Sequence, residues 1–154
     1  MGIVVTLVAL AALYALARVA IPRLSPSVAE GPLERDGRRR LADCPESPNC
    51  QGSDATRERQ RVEPFPMRGT TEETMAHLDA LLASRSGARV VTREADYVHA
   101  TFESPLMGYV DDVEFLVDES SGSVRVRSAS RLGHSDLGAN ARRLDALREA
   151  WMRD

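Results

Sequence analysis

At 154 residues the chain has room for one small domain plus attachments. A net charge of -3 leaves no basic excess to hold nucleic acid, and an aromatic content of 5% offers few surfaces for base stacking. No unit repeats at a fixed period.

Residues 2–17 are apolar apart from Thr6 and the Tyr14 hydroxyl; Arg18, Val19, Ala20 and Ile21 follow, and Pro22 closes the run. At about 1.5 Å per residue, residues 2–21 reach across a hydrocarbon core of roughly 30 Å. Arg18 sits near one end, where it can snorkel to the interface. No Lys or Arg precedes the run, so the charged start of a cleaved signal peptide is missing, although Ala15 and Ala17 make a small-x-small pattern before Arg18. A retained single-pass anchor over residues 1–22 is favoured over a cleaved signal. A buried core helix would show a polar face, and none develops here.

Residues 23–43 read as a flexible linker, punctuated by Pro26, Gly31, Pro32 and Gly37. Arg23, Arg35, Arg38, Arg39 and Arg40 all follow the apolar run, and the positive-inside rule places such a cluster in the cytoplasm. The three consecutive arginines suit anionic head groups, at about 1 kcal/mol each near the surface. They suit a plain solvated tether equally well.

Cys44 and Cys50 are the only cysteines and stand in the string CPESPNC. A local disulfide is favoured, with Pro45 and Pro48 holding the loop in turn geometry and Asn49 suited to a left-handed position. Separate thiols and a metal or redox role remain open, but the gap is wide for zinc and the C-x-x-C spacing is absent. A structural disulfide implies an oxidising compartment, against the arginine signal. Weighing the cysteines more heavily puts the soluble domain on the periplasmic side of an inner membrane.

A single domain is expected over residues 44–154. Residues 61–67, with Pro64 and Pro66, suit only a sheet edge. Thr70 and Glu73 form a capping box. Met75, Leu78, Leu81 and Leu82 then make a helical stripe that Gly87 ends. Strands are predicted over residues 88–94, 97–103, 109–117 and 124–131. Within them Val98, Ala100, Phe102, Val113, Phe115, Val117, Val124, Val126 and Ser128 share one face. His99, Asp112, Glu114, Arg125, Arg127 and Arg131 take the other. Residues 118–123 form a hairpin turn. Pairing Val117 with Val124 sets Glu114 opposite Arg127, and a slip of one residue would turn arginines into the core. Ser135 or Asp136 caps a last helix whose stripe is Leu137, Ala141, Leu144, Leu147 and Trp151. The result is an α+β fold: an antiparallel sheet of about five strands, in the order strand, helix, four strands, helix, with two helices on one face.

The strings CPESPNC, YVHATFES, GYVDDVEFLVDE and VRVRSASRLGHSDLGANARR resemble the domain-of-unknown-function family fourteen-ninety-nine. The resemblance runs from Cys44 to the C-terminus and is specific, because separate motifs occur in order. It implies relatives in bacteria and in photosynthetic eukaryotes. It brings no activity, cofactor or catalytic residues.

Two candidate sites follow from the residues. The first is the charged sheet face of His99, Asp112, Glu114, Arg125 and Arg127. A carboxylate there can orient the histidine, and the mixture suits a polar ligand. As a solvated face its cross-strand pairs would each be worth roughly 0.2–1 kcal/mol. The second is the corner from Arg131 to Arg143. Here Ser130, Arg131, His134, Ser135 and Asn140 gather at a helix start able to hold an anion, unless Asp136 already occupies the amides. Adjacent Ser135, His134 and Asp136 do not make a triad, and no nucleophile elbow or phosphate loop is present. Asp111 lies on the opposite face from Asp112 and Glu114, so no metal set converges. No cofactor is implied.

The expectation is a membrane-anchored, non-enzymatic binding domain for an unknown protein or polar ligand. The alternatives are a small hydrolase or isomerase using His99 with Glu114, or a lipid-binding module with empty space beneath Phe102 and Phe115.

Overall fold

The computed structural model describes residues 2–153. Helix α1, Gly2–Leu24, is long and apolar enough to cross a membrane, and none of its residues is buried. It runs past Pro22, which was expected to end it. Arg23 Nη1 donates to the Val19 carbonyl at 3.0 Å and the Ser25 hydroxyl donates to that of Ile21, so side chains satisfy carbonyls that the last turn leaves open.

A two-stranded hairpin, β1 (Leu33–Arg35) and β2 (Arg38–Arg40), follows. The main sheet is antiparallel and contains β3 (Cys50–Gly52), β4 (Phe65–Pro66), β5 (Ala88–Arg93), β6 (Tyr97–Glu103), β7 (Val110–Asp118) and β8 (Ser123–Ser130). Its order is β3-β8-β7-β6-β5, and β4 also pairs with β8. Helices α2 (Thr71–Ala83) and α3 (Ala139–Arg153) lie on one face. The α+β class and the strand register are as expected. Val117 pairs with Val124, Phe115 with Val126, Val113 with Ser128 and Glu114 with Arg127.

The capping box of α2 is complete: Thr70 N donates to Glu73 Oε2 at 2.8 Å and Glu73 N to Thr70 Oγ1 at 3.2 Å. Met75, Leu78, Leu81 and Leu82 are buried with Leu144, Leu147 and Trp151 of α3 against Val98, Val113, Phe115 and Val126. Phe65 fills the centre, its ring 6.2 Å from Phe115 and 6.1 Å from Trp151. Phe115 is fully buried and Phe102 nearly so, both within this core.

Several local expectations need correction. The cysteine loop leads into a strand of its own, β3, which makes the main sheet six-stranded. Asn49 does not take a left-handed conformation. It is buried, and its amide donates to the Gly133 carbonyl at 2.6 Å. Helix α2 ends at Ser84; Gly87, at φ 78, instead opens β5, where an added Cβ would lie 2.9 Å from the Glu103 carbonyl. Leu137 is exposed and left-handed at φ 53, and Ala141 is only half-buried. The last helix begins beyond Gly138, so the apolar stripe starts at Leu144.

Candidate functional site

The centre of the charged sheet face does not meet solvent. Asp112 and Glu114 are fully buried, and His99 and Arg127 are nearly so. Their cover is main chain from residues 25–31, part of the stretch expected to be a flexible linker. Val28 N donates to Asp112 Oδ2 at 2.8 Å, Gly31 N donates to Glu114 Oε1 at 3.2 Å, and the Val28 carbonyl accepts from Arg127 Nη1 at 3.1 Å. The Ser25 carbonyl accepts from Arg131 Nη1 at 3.0 Å. The segment is therefore a strap laid across the sheet. Beyond it, Arg39 ties the hairpin to Asp96 and to Glu94, the latter at 3.0 Å.

Two buried clusters lie beneath the strap. In the first, Asp112 accepts from His99 Nε2 at 2.7 Å, from Arg131 Nε at 3.0 Å and Nη2 at 2.7 Å, and from the Ser27 hydroxyl at 3.2 Å, besides Val28 N. Burial by itself pushes the Asp112 carboxyl up. The bonds from His99 and Arg131 outweigh that and hold it well below the usual carboxylate range. In the second, Glu114 accepts from the Tyr97 hydroxyl and from Arg127 Nη1, each at 2.8 Å. Burial, and then the Glu114 charge, push the Tyr97 phenol far up. Arg127 Nε has no partner among the described residues. Arg125 lies farther along the same face, bonded to Asp118 at 2.7 Å and to Asp54. Leu116, on this face of β7, packs with Tyr97 and Leu41.

This arrangement revises the first candidate site. His99 stands opposite Glu114 in register but bonds to Asp112, while Glu114 is engaged by Tyr97 and Arg127. The structure brings His99, Asp112, Glu114 and Arg127 together beneath the strap and leaves Arg125 with other partners.

The second candidate site is partly open. Asp136 caps the helix start, accepting from Gly138 N at 2.9 Å, Asn140 N at 2.7 Å and the Asn140 amide at 2.8 Å. Its carboxyl is held below its usual range by these bonds against the opposing effect of burial. The amides are thus occupied, and the helix N-terminus is not an anion site. Asn140 is buried and also donates to the Asn49 carbonyl at 2.9 Å and to Ser130 Oγ at 3.0 Å. Arg143 Nη1 donates to Ser128 Oγ at 3.0 Å and Asn140 Oδ1 at 2.6 Å, and Nη2 pairs with Asp111. Asp111 thus points to α3, away from Asp112, as alternation requires.

Above this fixed floor is a cavity of about 500 Å³. Asp111, Ser130, Ser135 and Arg143 contribute its polar wall, and Tyr109, Leu132 and Leu137 its apolar rim. Arg131 lies outside it, beneath the strap and beside a wider cleft of about 740 Å³ between α1 and the β5–β6 edge. The corner cavity rests on the better-fixed polar groups. The alternating strands signalled which residues share a face; nothing in the sequence signalled Tyr109 and Leu132 as cavity walls.

Cys44 and Cys50 lie at disulfide distance, with Cα atoms 5.6 Å apart. Among the described residues no group of His, Cys, Asp or Glu is placed to hold a metal ion.

These features define a small α+β domain, preceded by a helix able to cross a membrane and carrying one well-floored corner cavity. The chain belongs to the family described as Protein of unknown function (DUF1499), whose model matches residues 40–151. No curated protein and no solved structure matches the chain. The strap at residues 25–31 lies outside the matched stretch, whereas the carboxylates and arginines it touches lie within it.

Proposed function

We propose that the protein is a membrane-anchored, non-enzymatic binding domain of the bacterial envelope, and that it takes a polar ligand or partner group at the corner cavity. The observation that carries this reading is the cavity itself: about 500 Å³, with a floor fixed by the Asp111–Arg143 pair and an apolar rim. Small-ligand sites combine mostly apolar walls with a few convergent polar groups. Arg143 is held by Asn140 and Ser128, so it offers its remaining surface without a search among rotamers. The paired cysteines favour the periplasmic side, since such bonds persist in oxidising compartments. The arginines after α1 weigh the other way.

An enzymatic reading through His99 and Glu114 has less support. Glu114 is committed to Tyr97 and Arg127, and the strap covers the His99–Asp112 pair.

The test is native mass spectrometry of the full chain drawn from its own membrane, wild type beside Ala139→Trp, which fills the cavity. Added mass on the wild type that the variant lacks is the expected result. A bare wild-type chain, or equal added mass on both proteins, counts against the cavity as the site.

A further inference from the structure

Helix α1 does not leave the domain on slack chain. Arg18 Nη1 donates to the Ser104 carbonyl at 3.1 Å and lies 3.3 Å from Glu103 Oε1, and the Tyr14 hydroxyl donates to the Leu106 carbonyl at 2.6 Å. Ser25, the first residue after α1, accepts from Arg131. The loop of residues 104–109 is therefore held against the second half of the apolar helix, and Arg131, where the loop of residues 131–138 begins, is held at the helix's C-terminal end. Both loops line the corner cavity.

These loops carry a set of large apolar side chains that the fold leaves partly or largely exposed. Leu137 is 85% exposed, Leu106 69%, Tyr109 45% and Leu132 39%. Part of their backbone is paired within the protein. Ser104 N donates to the Tyr109 carbonyl at 2.8 Å, Gly108 N to the Ser104 carbonyl at 3.0 Å, and Tyr109 N to Ser104 Oγ at 2.9 Å. Pro105 has no N–H to place. In the other loop, Arg142 Nη1 donates to the Leu137 carbonyl at 2.8 Å and Gly138 N donates to Asp136. Irregular backbone enters a lipid environment only when its polar groups are paired within the protein. These bonds pair part of the backbone of both loops, which suits an interfacial depth where water still reaches the remaining groups.

The depth is consistent. Tyr14 lies seven residues before Ile21, about 10 Å along a helix rising 1.5 Å per residue. Apolar faces that rest on a membrane enter it by roughly 5–10 Å. With α1 across the bilayer, a loop that meets Tyr14 stands in that layer.

We propose that the α1-proximal end of the domain is a lipid-contacting surface, on which Leu106, Leu132 and Leu137 rest in the interfacial layer of the membrane that α1 crosses. The proposal rests on the anchor reading, and its test separates the two. Single cysteines replace Leu10, Leu106, Leu137 or Met152 in the full chain, each labelled without reductant by a nitroxide and reconstituted in phosphatidylcholine–phosphatidylglycerol vesicles. Met152, exposed at the far end of α3, is the aqueous reference.

Oxygen should relax the labels at positions 10, 106 and 137 several-fold more, relative to an aqueous nickel chelate, than the label at 152. Position 137 decides the matter, because Leu106 is held against α1 however the domain leans. A lipid-exposed label at 10 with a label at 137 as aqueous as that at 152 overturns the proposal and leaves the anchor standing. An aqueous label at 10 overturns both. A label at 137 shielded from both reagents means protein cover, and also overturns it.

Discussion

Replacing Asp112 by Ala tests whether the charged face is buried, because the two descriptions of that face differ several-fold in energy. Were it solvated, the lost pairs would be worth about 0.2–1 kcal/mol. In the structure, the change removes the acceptor of His99 Nε2, two nitrogens of Arg131, Val28 N and the Ser27 hydroxyl. It leaves the mostly covered Arg131 guanidinium without its carboxylate, and breaking a buried pair costs about 3–5 kcal/mol. For a domain of this size that lowers the melting temperature by roughly 10–20 °C, against about 4 °C at most for a solvated face. Trp151, the single tryptophan, is buried in the core and reports the transition without interference from α1. The assay is thermal unfolding of the full chain in mild detergent, followed by Trp151 fluorescence. Asp112→Asn keeps the volume but removes the charge, so a comparable loss there assigns the effect to the unpaired arginine and not to a cavity. A shift within about 2 °C for both variants would refute the burial of this face and the strap that causes it.

Acid should destabilise the domain through Asp112 and Asp118. Burial pushes each carboxyl up, but bonds from His99 and Arg131 to the first, and from Ser120 and Arg125 to the second, hold both well below the usual range. Their stabilisation is complete above the unfolded carboxylate value of about 4 and is lost as pH falls below it. Urea midpoints between pH 5 and 2.5 should fall for the wild type and fall less for Asp112→Asn; parallel curves would contradict the assignment. At the alkaline end, Tyr97 is kept neutral by burial and by Glu114, whereas an unfolded tyrosine ionises near pH 10. Stability from this group is present below that value and declines above it. One of the three tyrosines should therefore show no phenolate absorbance until the chain unfolds. Replacing both Cys44 and Cys50 by Ser frees a short loop. The chain-entropy estimate for its closure is about 2 kcal/mol, readable as a lower urea midpoint; an unchanged midpoint would mean the link adds nothing.

Alternation carried most of the sheet. Val113, Phe115 and Val117 on one strand and Val124 and Val126 on the next admit one register, and that register already set Glu114 opposite Arg127. Period two says which residues share a face, however, and not what lies over it. The strap was invisible because it holds the sheet mainly with Val28 N, Gly31 N and the Val28 and Ser25 carbonyls. Every residue owns such groups, so a stretch of Ser, Pro, Ala, Glu and Gly looks like a tether whether or not it is bound. Strand β3 escaped for a related reason: three residues, Cys50 to Gly52, are too few to show a period. Leu137 misled because its spacing fits the stripe of α3, yet Gly138 beside it, at φ 80, breaks the helix there. The second candidate site fared better, since the polar residues of the corner do gather. Its apolar rim depends on Tyr109, from a loop far away in sequence.

The same geometry changes what the charged face is for. Register alone matches Glu114 with Arg127 on the neighbouring strand, without reference to anything above the sheet. Asp112 and Glu114 each keep further acceptor capacity, and the strap supplies the donors. A buried ionic cluster of this kind adds little net stability beside an apolar core of equal volume. What it adds is a fixed path for the strap, whose main-chain donors at Val28 and Gly31 meet Asp112 and Glu114. That segment leads directly out of α1. The lock on the sheet and the contacts of Arg18 and Tyr14 therefore act together, and the orientation of the domain relative to α1 is set by buried charge at one end and by loop contacts at the other.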